Sequence, residues 1–268
     1  MSTRKIWSCA QSCCQYSFSI PYPKHQRKKQ EKMNNKERIL SITYKNRLSR
    51  INRIASILGK HCVLQIAKTY GKYSWDLVNI IFPALRQKNR LVLMAHHDVY
   101  PGSYGYNDNS TGVTTLLRLK DDLPDNVELV FTDGEEVGGQ GCRRYVETCR
   151  RNGNADFEAI NLDVVGLGDR IFYEQYGDVS LFNIPKHMEY FRNVSFSDSR
   201  VLDSFGIPNI LVLTGRNKDE LIKNISESQH GNVNDGRLDL ISEQGMDRVF
   251  ETLLRMIRKQ RRLGSSRN

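Results

Sequence analysis

The chain has 268 residues and a formal net charge of +10. This length is enough for one large α/β core or two small ones, and the lack of a long linker rich in Pro, Gly and Ser favours a single domain. No stretch approaches the roughly 18 apolar residues that a membrane span requires, so we expect no transmembrane segment.

The positive charge lies at the two ends of the chain. Residues 1–30 and residues 255–268 each carry six basic residues and no acidic one, which leaves residues 31–254 with a net charge of −2. A nearly neutral body that lacks basic residues interleaved with aromatic ones argues against specific nucleic-acid binding.

The first 32 residues differ in composition from the rest. They are rich in Ser, Cys and Lys and lack the unbroken apolar run of a secretory signal. We expect residues 1–32 to be a disordered basic extension and residues 33–268 to form one domain with a basic C-terminal end. Met33 is a candidate for the working start. We expect a cytoplasmic location, or an organellar one if the extension acts as a targeting segment.

The cysteine spacing indicates reduced thiols. The six cysteines contain no Cys-X-X-Cys pair of the kind that zinc fingers use. Cys142 and Cys149 lie seven positions apart on a predicted helix, which is too far along the helix axis for a disulfide. Reducing, intracellular conditions are therefore expected.

The apolar pattern alternates between strands and helices along the chain. A helical spacing of apolar residues predicts one helix over 34–59. Short apolar runs predict strands over 62–67, 78–82, 90–95, 127–132, 158–163 and 208–213, with helices over 110–120, 140–152 and 242–260. This alternation predicts an α/β fold, in which a mostly parallel sheet is covered by helices on both faces.

Polar residues follow three of the predicted strands. His96 and Asp98 come directly after strand 90–95, Glu135 and Glu136 follow strand 127–132, and Asp163 ends strand 158–163. Because ligands of open α/β sheets bind at the carboxyl ends of the strands, we expect these side chains to converge on one edge.

Two further candidates lie in loops. Asp108 belongs to a loop rich in Gly and Asn, just before a helix that begins near Ser110, and His230 belongs to the loop segment SQHGNVNDG. Several carboxylates gathered with two histidines at one sheet edge would form an unfavourable cluster of negative charge unless divalent cations neutralised it. The sequence therefore predicts a metal site.

The motifs together resemble a known family. They are AHHDV at 95–99, GYNDNSTG at 105–112, DGEEVGGQG at 133–141, NLDVVG at 161–166 and the late His230. In this order and spacing they resemble the zinc-dependent aminopeptidases, the family of two-zinc exopeptidases that includes bacterial leucine aminopeptidases, glutamate carboxypeptidase and the glutaminyl cyclases. The resemblance covers roughly residues 76–245 and implies a single three-layer α/β/α domain with a mixed sheet.

This resemblance also implies a role for each site residue. Two zinc ions per chain would be held by His96 and Asp163 on one side, by Glu136 and His230 on the other, and by Asp108 as the bridge between them. Glu135 would be the general base, and Asp98 would support catalysis by orienting His96. Each ion would then have one imidazole, one carboxylate of its own and a share of the bridge, which leaves room for a reactive water.

One departure concerns the segment after the late histidine. The family usually has an aspartate four positions after it, whereas here Asn234 stands at that position and Asp235 follows. A one-residue insertion would explain the shift. The phrase HHDVYPG is also similar to related zinc carboxypeptidases and deacylases, which carry an inserted lid domain. The spacing from Glu136 to His230 leaves too little room for such a lid, and this favours the aminopeptidase branch.

The predicted activity is that of a zinc metallopeptidase, and within that class an aminopeptidase acting on a peptide or small amide substrate. The alternatives are a single-zinc acyltransferase similar to glutaminyl cyclases, a related zinc carboxypeptidase or deacylase, and a catalytically inactive relative. Ser197 and Asp198 match a short Ser-Asp element that lies near the substrate site in the family. The substrate side chain and the oligomeric state do not follow from the sequence.

Overall fold

The computed structural model describes residues 13–17, 33–44, 46–69, 75–192, 196–228 and 235–265. Its strands are β1 (Cys13–Ser17), β2 (Val63–Lys68), β3 (Asp76–Phe82), β4 (Arg90–His96), β5 (Val127–Thr132), β6 (Phe157–Leu162), β7 (Arg170–Tyr176), β8 (Glu189–Tyr190) and β9 (Asn209–Gly215). Its helices are α1 (Asn35–Ile42), α2 (Arg47–Leu58), α3 (Thr111–Leu119), α4 (Gln140–Arg151), α5 (Asp198–Ser204), α6 (Lys218–Ser228) and α7 (Glu243–Ser265), with a 3-10 turn at Leu238–Leu240.

The described strands form one sheet in the order β1-β2-β3-β5-β4-β6-β9-β7-β8. The four central strands, β5, β4, β6 and β9, are parallel to one another, whereas β1, β2 and β3 on one side and β7 on the other join by antiparallel pairing. The predicted α/β fold with a mixed sheet is confirmed. Its parallel centre brings the carboxyl ends of three motif-bearing strands to the same edge.

The central strand β4 is buried on both faces. Leu91, Leu93 and Ala95 belong to a core shared with α2, α3 and α7, whereas Val92 and Met94 belong to a core shared with α4 and α5. All five side chains are fully buried, and full burial of a leucine-sized side chain contributes about 1.5–3 kcal/mol. Such two-sided burial explains why β4 reads as an unbroken apolar run.

Most of the predicted elements are found within two residues of their expected ends, but the single helix expected over 34–59 is two helices. The chain leaves α1 at Thr43, and Asn46 starts α2 by accepting a hydrogen bond from the Ser49 N–H at 3.1 Å. Asparagine is among the best residues for such a helix start. The elements β7, β8, α5 and α6 were not predicted.

Five residues of the N-terminal extension differ from the disorder expected there. Cys13–Ser17 form the edge strand β1, which pairs antiparallel with β2, with Tyr16 opposite Leu64. The remaining residues of the extension, 1–12 and 18–32, lie outside the described part of the chain.

The structure also bears on the predictions about the cysteines and about membrane-spanning helices. Cys142 and Cys149 are buried free thiols, so the prediction that they form no disulfide is confirmed. None of the helices in the described ranges combines the length and the apolar composition needed to cross a membrane.

Candidate metal centre

The site lies where the parallel central strands end. His96 is the last residue of β4 and pairs with Thr132, the last residue of β5, and Asp163 follows β6 directly. Register between neighbouring parallel strands places these ends at one height. The convergence expected from the sequence is therefore produced by the sheet itself.

Three carboxylates surround the buried ring of His96. The Nε2 atom lies 2.9 Å from Asp108 Oδ1 and 3.5 Å from Asp163 Oδ1, and the Nδ1 atom lies 3.3 Å from Asp98 Oδ1. His96 is only 2% exposed. One ring nitrogen thus faces two carboxylates at once, an arrangement typical of donors that share a cation.

Glu136 completes a group of donors around the same point. One ligand atom from each of His96, Asp108 and Glu136 can be chosen so that all three lie within 4.8 Å of one another. Zinc binds nitrogen and carboxylate oxygen at about 2.0–2.2 Å, so donors at this separation fit around a single ion after small adjustments.

Asp98 connects the end of β4 to the turn that follows β5. Its Oδ1 and Oδ2 atoms accept hydrogen bonds from the backbone N–H groups of Glu135 at 3.2 Å and Glu136 at 3.1 Å. The turn then passes through Gly138 and Gly139, which have φ values of 96° and 64°. These conformations strongly favour glycine, which explains the glycines after the acidic pair.

Burial and mutual repulsion shift the pKa values of the acidic groups upward. Burial is the main cause that raises the pKa of Asp108 to about 6 and that of Glu136 to about 8, and it raises the pKa of Glu135 well above its usual value. Neighbouring carboxylates add to each of these increases. A divalent cation is the partner that would favour ionisation of the whole group.

The pKa values of His96 and Asp98 are shifted in opposite directions by their surroundings. Burial alone lowers the pKa of His96, but the carboxylates of Asp108, Asp163 and Asp98 raise it well above the usual histidine value. Burial alone raises the pKa of Asp98, whereas contact with His96 and the Glu136 N–H holds it below the usual value. Asp98 is therefore an ionised partner for the imidazole, as histidine ligands of metals commonly have.

The residues flanking Asp108 attach its loop to the strand that carries Asp163. The Asn109 side chain donates to the Leu162 carbonyl at 2.7 Å, and Asn107 Oδ1 accepts from the Gly166 N–H at 2.9 Å. The peptide bond between Asp108 and Asn109 is cis. Both asparagines of the NDN motif therefore bring Asp108 toward Asp163.

Asp235 lies on the other side of the Asp108 loop, which we define as residues 103–110. It is 1% exposed, and its carboxylate accepts hydrogen bonds from backbone N–H groups of this loop. The sequence singled out Asp235 only as a shifted aspartate. Its contacts are with a segment about 130 positions earlier, so no local pattern could have revealed them.

Asp198 is a second residue outside the predicted ligand set, and the sequence singled it out only as part of a Ser-Asp element. It begins α5, is fully buried, and its Oδ2 accepts a hydrogen bond from the Thr132 hydroxyl. Its Oδ1 has no hydrogen-bond partner among the described residues. Burial raises the pKa of Asp198 to about 7, with further increases from Asp98 and Asp163.

The structure thus brings six of the seven predicted site residues to one sheet edge: His96, Asp98, Asp108, Glu135, Glu136 and Asp163. The seventh, His230, lies outside the described residues. The carboxylates are buried, the His96 Nε2 atom faces two of them, and Asp163 Oδ1 accepts no hydrogen bond from the described residues. This donor set suits zinc.

Comparison with known proteins points in the same direction. Residues 79–199 match the sequence profile of peptidase family M28. None of the curated protein sequences matches the chain.

Three solved structures with a similar fold have low sequence identity to this chain. BSAP, a zinc aminopeptidase from Bacillus subtilis, is 19% identical over 72% of this chain and 51% of its own, with a TM-score of 0.54. The LapA aminopeptidase of Legionella pneumophila is 13% identical over 88% of this chain and 75% of its own, with a TM-score of 0.62. The glutaminyl cyclase of an Acidobacteriales bacterium is 16% identical over 84% of this chain and 92% of its own, with a TM-score of 0.64. The chain spans about half the length of the Bacillus protein. At these identities the likeness shows the fold.

Proposed function

We propose that this chain, which carries a peptidase family M28 domain in residues 79–199, is a two-zinc aminopeptidase that removes N-terminal residues from peptides. The observation that carries the proposal is the environment of His96, whose Nε2 faces the carboxylates of both Asp108 and Asp163. A buried imidazole shared by two carboxylates, with further acids around it, matches the donors of a zinc site in type and spacing.

His96 and Asp163 would hold one zinc ion, Glu136 and His230 the other, and Asp108 would bridge them. Asp235 supports the placement of His230, because its carboxylate contacts the backbone of Asp108 itself. His230 lies five positions before Asp235, and five residues of chain span at most about 18 Å. A chain of this length would allow His230 to serve as the fourth private ligand.

Zinc held by these donors would supply a Lewis acid that lowers the pKa of water and polarises the peptide carbonyl. Glu135 would take the proton from the attacking water and pass it to the leaving amine. Burial raises the pKa of Glu135 well above the usual carboxyl value, which suits a group that both accepts and returns a proton. The carboxylate of Asp98 fixes the turn that carries Glu135 by accepting a hydrogen bond from the Glu135 backbone N–H. The general base and the histidine ligand are therefore both supported by Asp98.

A free N-terminus would have a partner in Asp198. This side chain is fully buried, and its Oδ1 lies 3.3 Å from the position that a Cβ on Gly139 would take, beside the turn of Glu135. A carboxylate oxygen that lacks a hydrogen-bond partner in the described structure is complementary to an ammonium group.

Acyl transfer similar to that of glutaminyl cyclases is the second candidate. It is favoured by the compact set of His96, Asp108 and Glu136, which fits around one ion. Three protein donors with an open fourth position are a common arrangement for a single catalytic zinc.

Metal content and a matched substrate panel test the proposal together. We expect two zinc ions per chain, hydrolysis of dipeptide amides with a free N-terminus, and little cleavage of the same peptides after N-acetylation. One zinc per chain with ammonia release from peptides that begin with glutamine would support the acyltransferase instead. Preferred cleavage of N-acetylated substrates would contradict aminopeptidase activity and favour a carboxypeptidase or deacylase.

A further inference from the structure

We infer that Asp235 is a positioning residue, which holds the Asp108 loop so that the carboxylate of Asp108 points at His96. The part of this inference that calls Asp108 a zinc ligand rests on the proposed function. The loop contacts of Asp235 do not depend on it.

One carboxylate accepts hydrogen bonds from three backbone N–H groups of the loop and from one of its hydroxyls. Oδ1 of Asp235 accepts from the N–H groups of Asn107 at 2.9 Å and Asp108 at 3.0 Å, and Oδ2 accepts from the Gly105 N–H at 2.9 Å and from the Ser103 hydroxyl. A buried N–H without an acceptor is unfavourable, because folding removes its hydrogen bond to water and supplies no replacement. The carboxylate of Asp235 therefore supplies the acceptors that allow this turn of backbone to be buried in the protein interior.

These contacts also show how Asp235 differs from the proposed ligands. A carboxylate offers about four lone-pair positions, and the four donors on Asp235 use all of them. It has no oxygen left for a metal ion, although its negative charge is close enough to raise the pKa of Asp108 further, after the larger effect of burial. Asp235 therefore positions Asp108 and does not bind the metal ion itself.

The two ends of the loop also have contacts that do not involve Asp235. Gly105 has a φ of 64°, and a Cβ there would lie 2.6 Å from Val99. At the far end, Ser110 donates to the Gly105 carbonyl and accepts from Arg50 Nη1 at 3.0 Å. Because the Gly105 carbonyl and Ser110 keep their contact with each other when the Asp235 carboxylate is lost, that loss would release mainly Asn107 and Asp108.

Hydrogen exchange on the metal-free full-length protein tests this directly. We expect Asp235→Asn, which keeps the size but loses one acceptor oxygen and the charge, to raise the exchange rates of the Asn107 and Asp108 amides at least tenfold. Amides within β4 and β6 should keep their rates. The control is Asp239→Asn, four residues away, which changes an exposed carboxylate paired with Arg237 and should alter neither amide.

Zinc affinity, measured by competition with a chelator, provides the second measurement. Support residues of metal ligands typically contribute 10–100-fold to affinity, and we expect a loss of that size in Asp235→Asn but not in Asp239→Asn. Unchanged exchange at Asn107 and Asp108 would overturn the inference, as would an increase spread evenly over the sheet. Faster exchange with normal zinc affinity would also overturn it, because Asp108 would then keep its direction without Asp235. A wild-type protein that binds no zinc would overturn the proposed function while leaving the exchange result intact.

Discussion

Asp98 Oδ2 accepts a hydrogen bond from the backbone N–H of Glu136 at 3.1 Å, which connects the segment after β4 to the turn after β5. The same carboxylate lies 3.3 Å from His96 Nδ1 through its other oxygen. Asp98 therefore couples the orientation of a histidine on one strand to the position of an acidic residue on the next. Any change at Asp98 should affect both groups.

We predict that Asp98→Asn weakens zinc binding by about 10–100-fold, the usual contribution of a residue that supports a metal ligand. The amide has one acceptor oxygen instead of two, and it is neutral beside the imidazole. Competition with a chelator measures the loss. The matched control is Asp76→Asn, which changes a half-exposed carboxylate paired with Lys68. Equal zinc affinities in the two variants would show that Asp98 does not support His96.

The raised pKa values predict how metal-free protein responds to pH. A carboxyl with a raised pKa stabilises the fold below its unfolded pKa, near 4, and loses that contribution as pH rises through its folded pKa. Burial, the largest cause, raises the pKa of Asp108 to about 6 and that of Glu136 to about 8. The free energy of unfolding should therefore fall between pH 4 and pH 8.

Thermal unfolding with and without zinc measures this effect. The Tm of metal-stripped protein should decrease from pH 5 to pH 8, and the increase in Tm on adding zinc should grow over the same range. Asp108→Asn should flatten the part of the metal-free profile below pH 6, because an amide does not titrate. A Tm of stripped protein that rises between pH 5 and pH 8 would contradict the assigned shifts.

Removal of residues 1–32 should leave the site intact. The N-terminus of α1 is stabilised without residues 1–32. Asn34 caps the helix by accepting a hydrogen bond from the Glu37 N–H at 2.9 Å, and Glu243 of α7 accepts one from the Asn35 N–H at 2.9 Å. The truncated protein should hydrolyse peptides at a rate near that of the full chain.

The truncation also removes β1, which exposes the edge of β2. Exposed edges promote association between sheets, so we expect lower solubility at high protein concentration. Light scattering and activity measured on the same sample separate the two effects. Loss of activity in truncated protein that scatters light like the full chain would show that the extension contributes to the site.

How far the sequence predicts this fold depends on how each element is buried. The strand β5 (VELVFT) is apolar at four of its six positions and buried throughout, and the sequence predicted its ends at Val127 and Thr132 correctly. In contrast, β7 (Arg170–Tyr176) contains both charged and aromatic residues. It lies near the margin of the sheet, where one of its edges pairs with β9 and the other pairs only with the short β8. Such a segment has no apolar run for a sequence pattern to detect.

The same contrast applies to the site. Residues such as His96 and Asp163 were found because polar side chains directly after apolar strands are conspicuous, and the sheet then brings them together. The contact from the Asp108 N–H to Asp235 joins positions 127 residues apart. Only the tertiary structure produces this contact, so the sequence could offer Asp235 as a shifted motif residue but could not give its role.

The neighbouring residues Glu135 and Glu136 should fail in different ways when each is changed to glutamine. Glu135→Gln should retain zinc but lose at least ~100-fold in kcat, the usual contribution of a general base, because an amide keeps the shape and cannot accept the proton. Glu136→Gln should lose zinc affinity, since a neutral amide is a much poorer zinc ligand than a carboxylate. Glu251→Gln, an exposed change on α7, is the control for both. Near-normal kcat in Glu135→Gln, or zinc loss in that variant rather than in Glu136→Gln, would show that the roles of the two residues have been assigned wrongly.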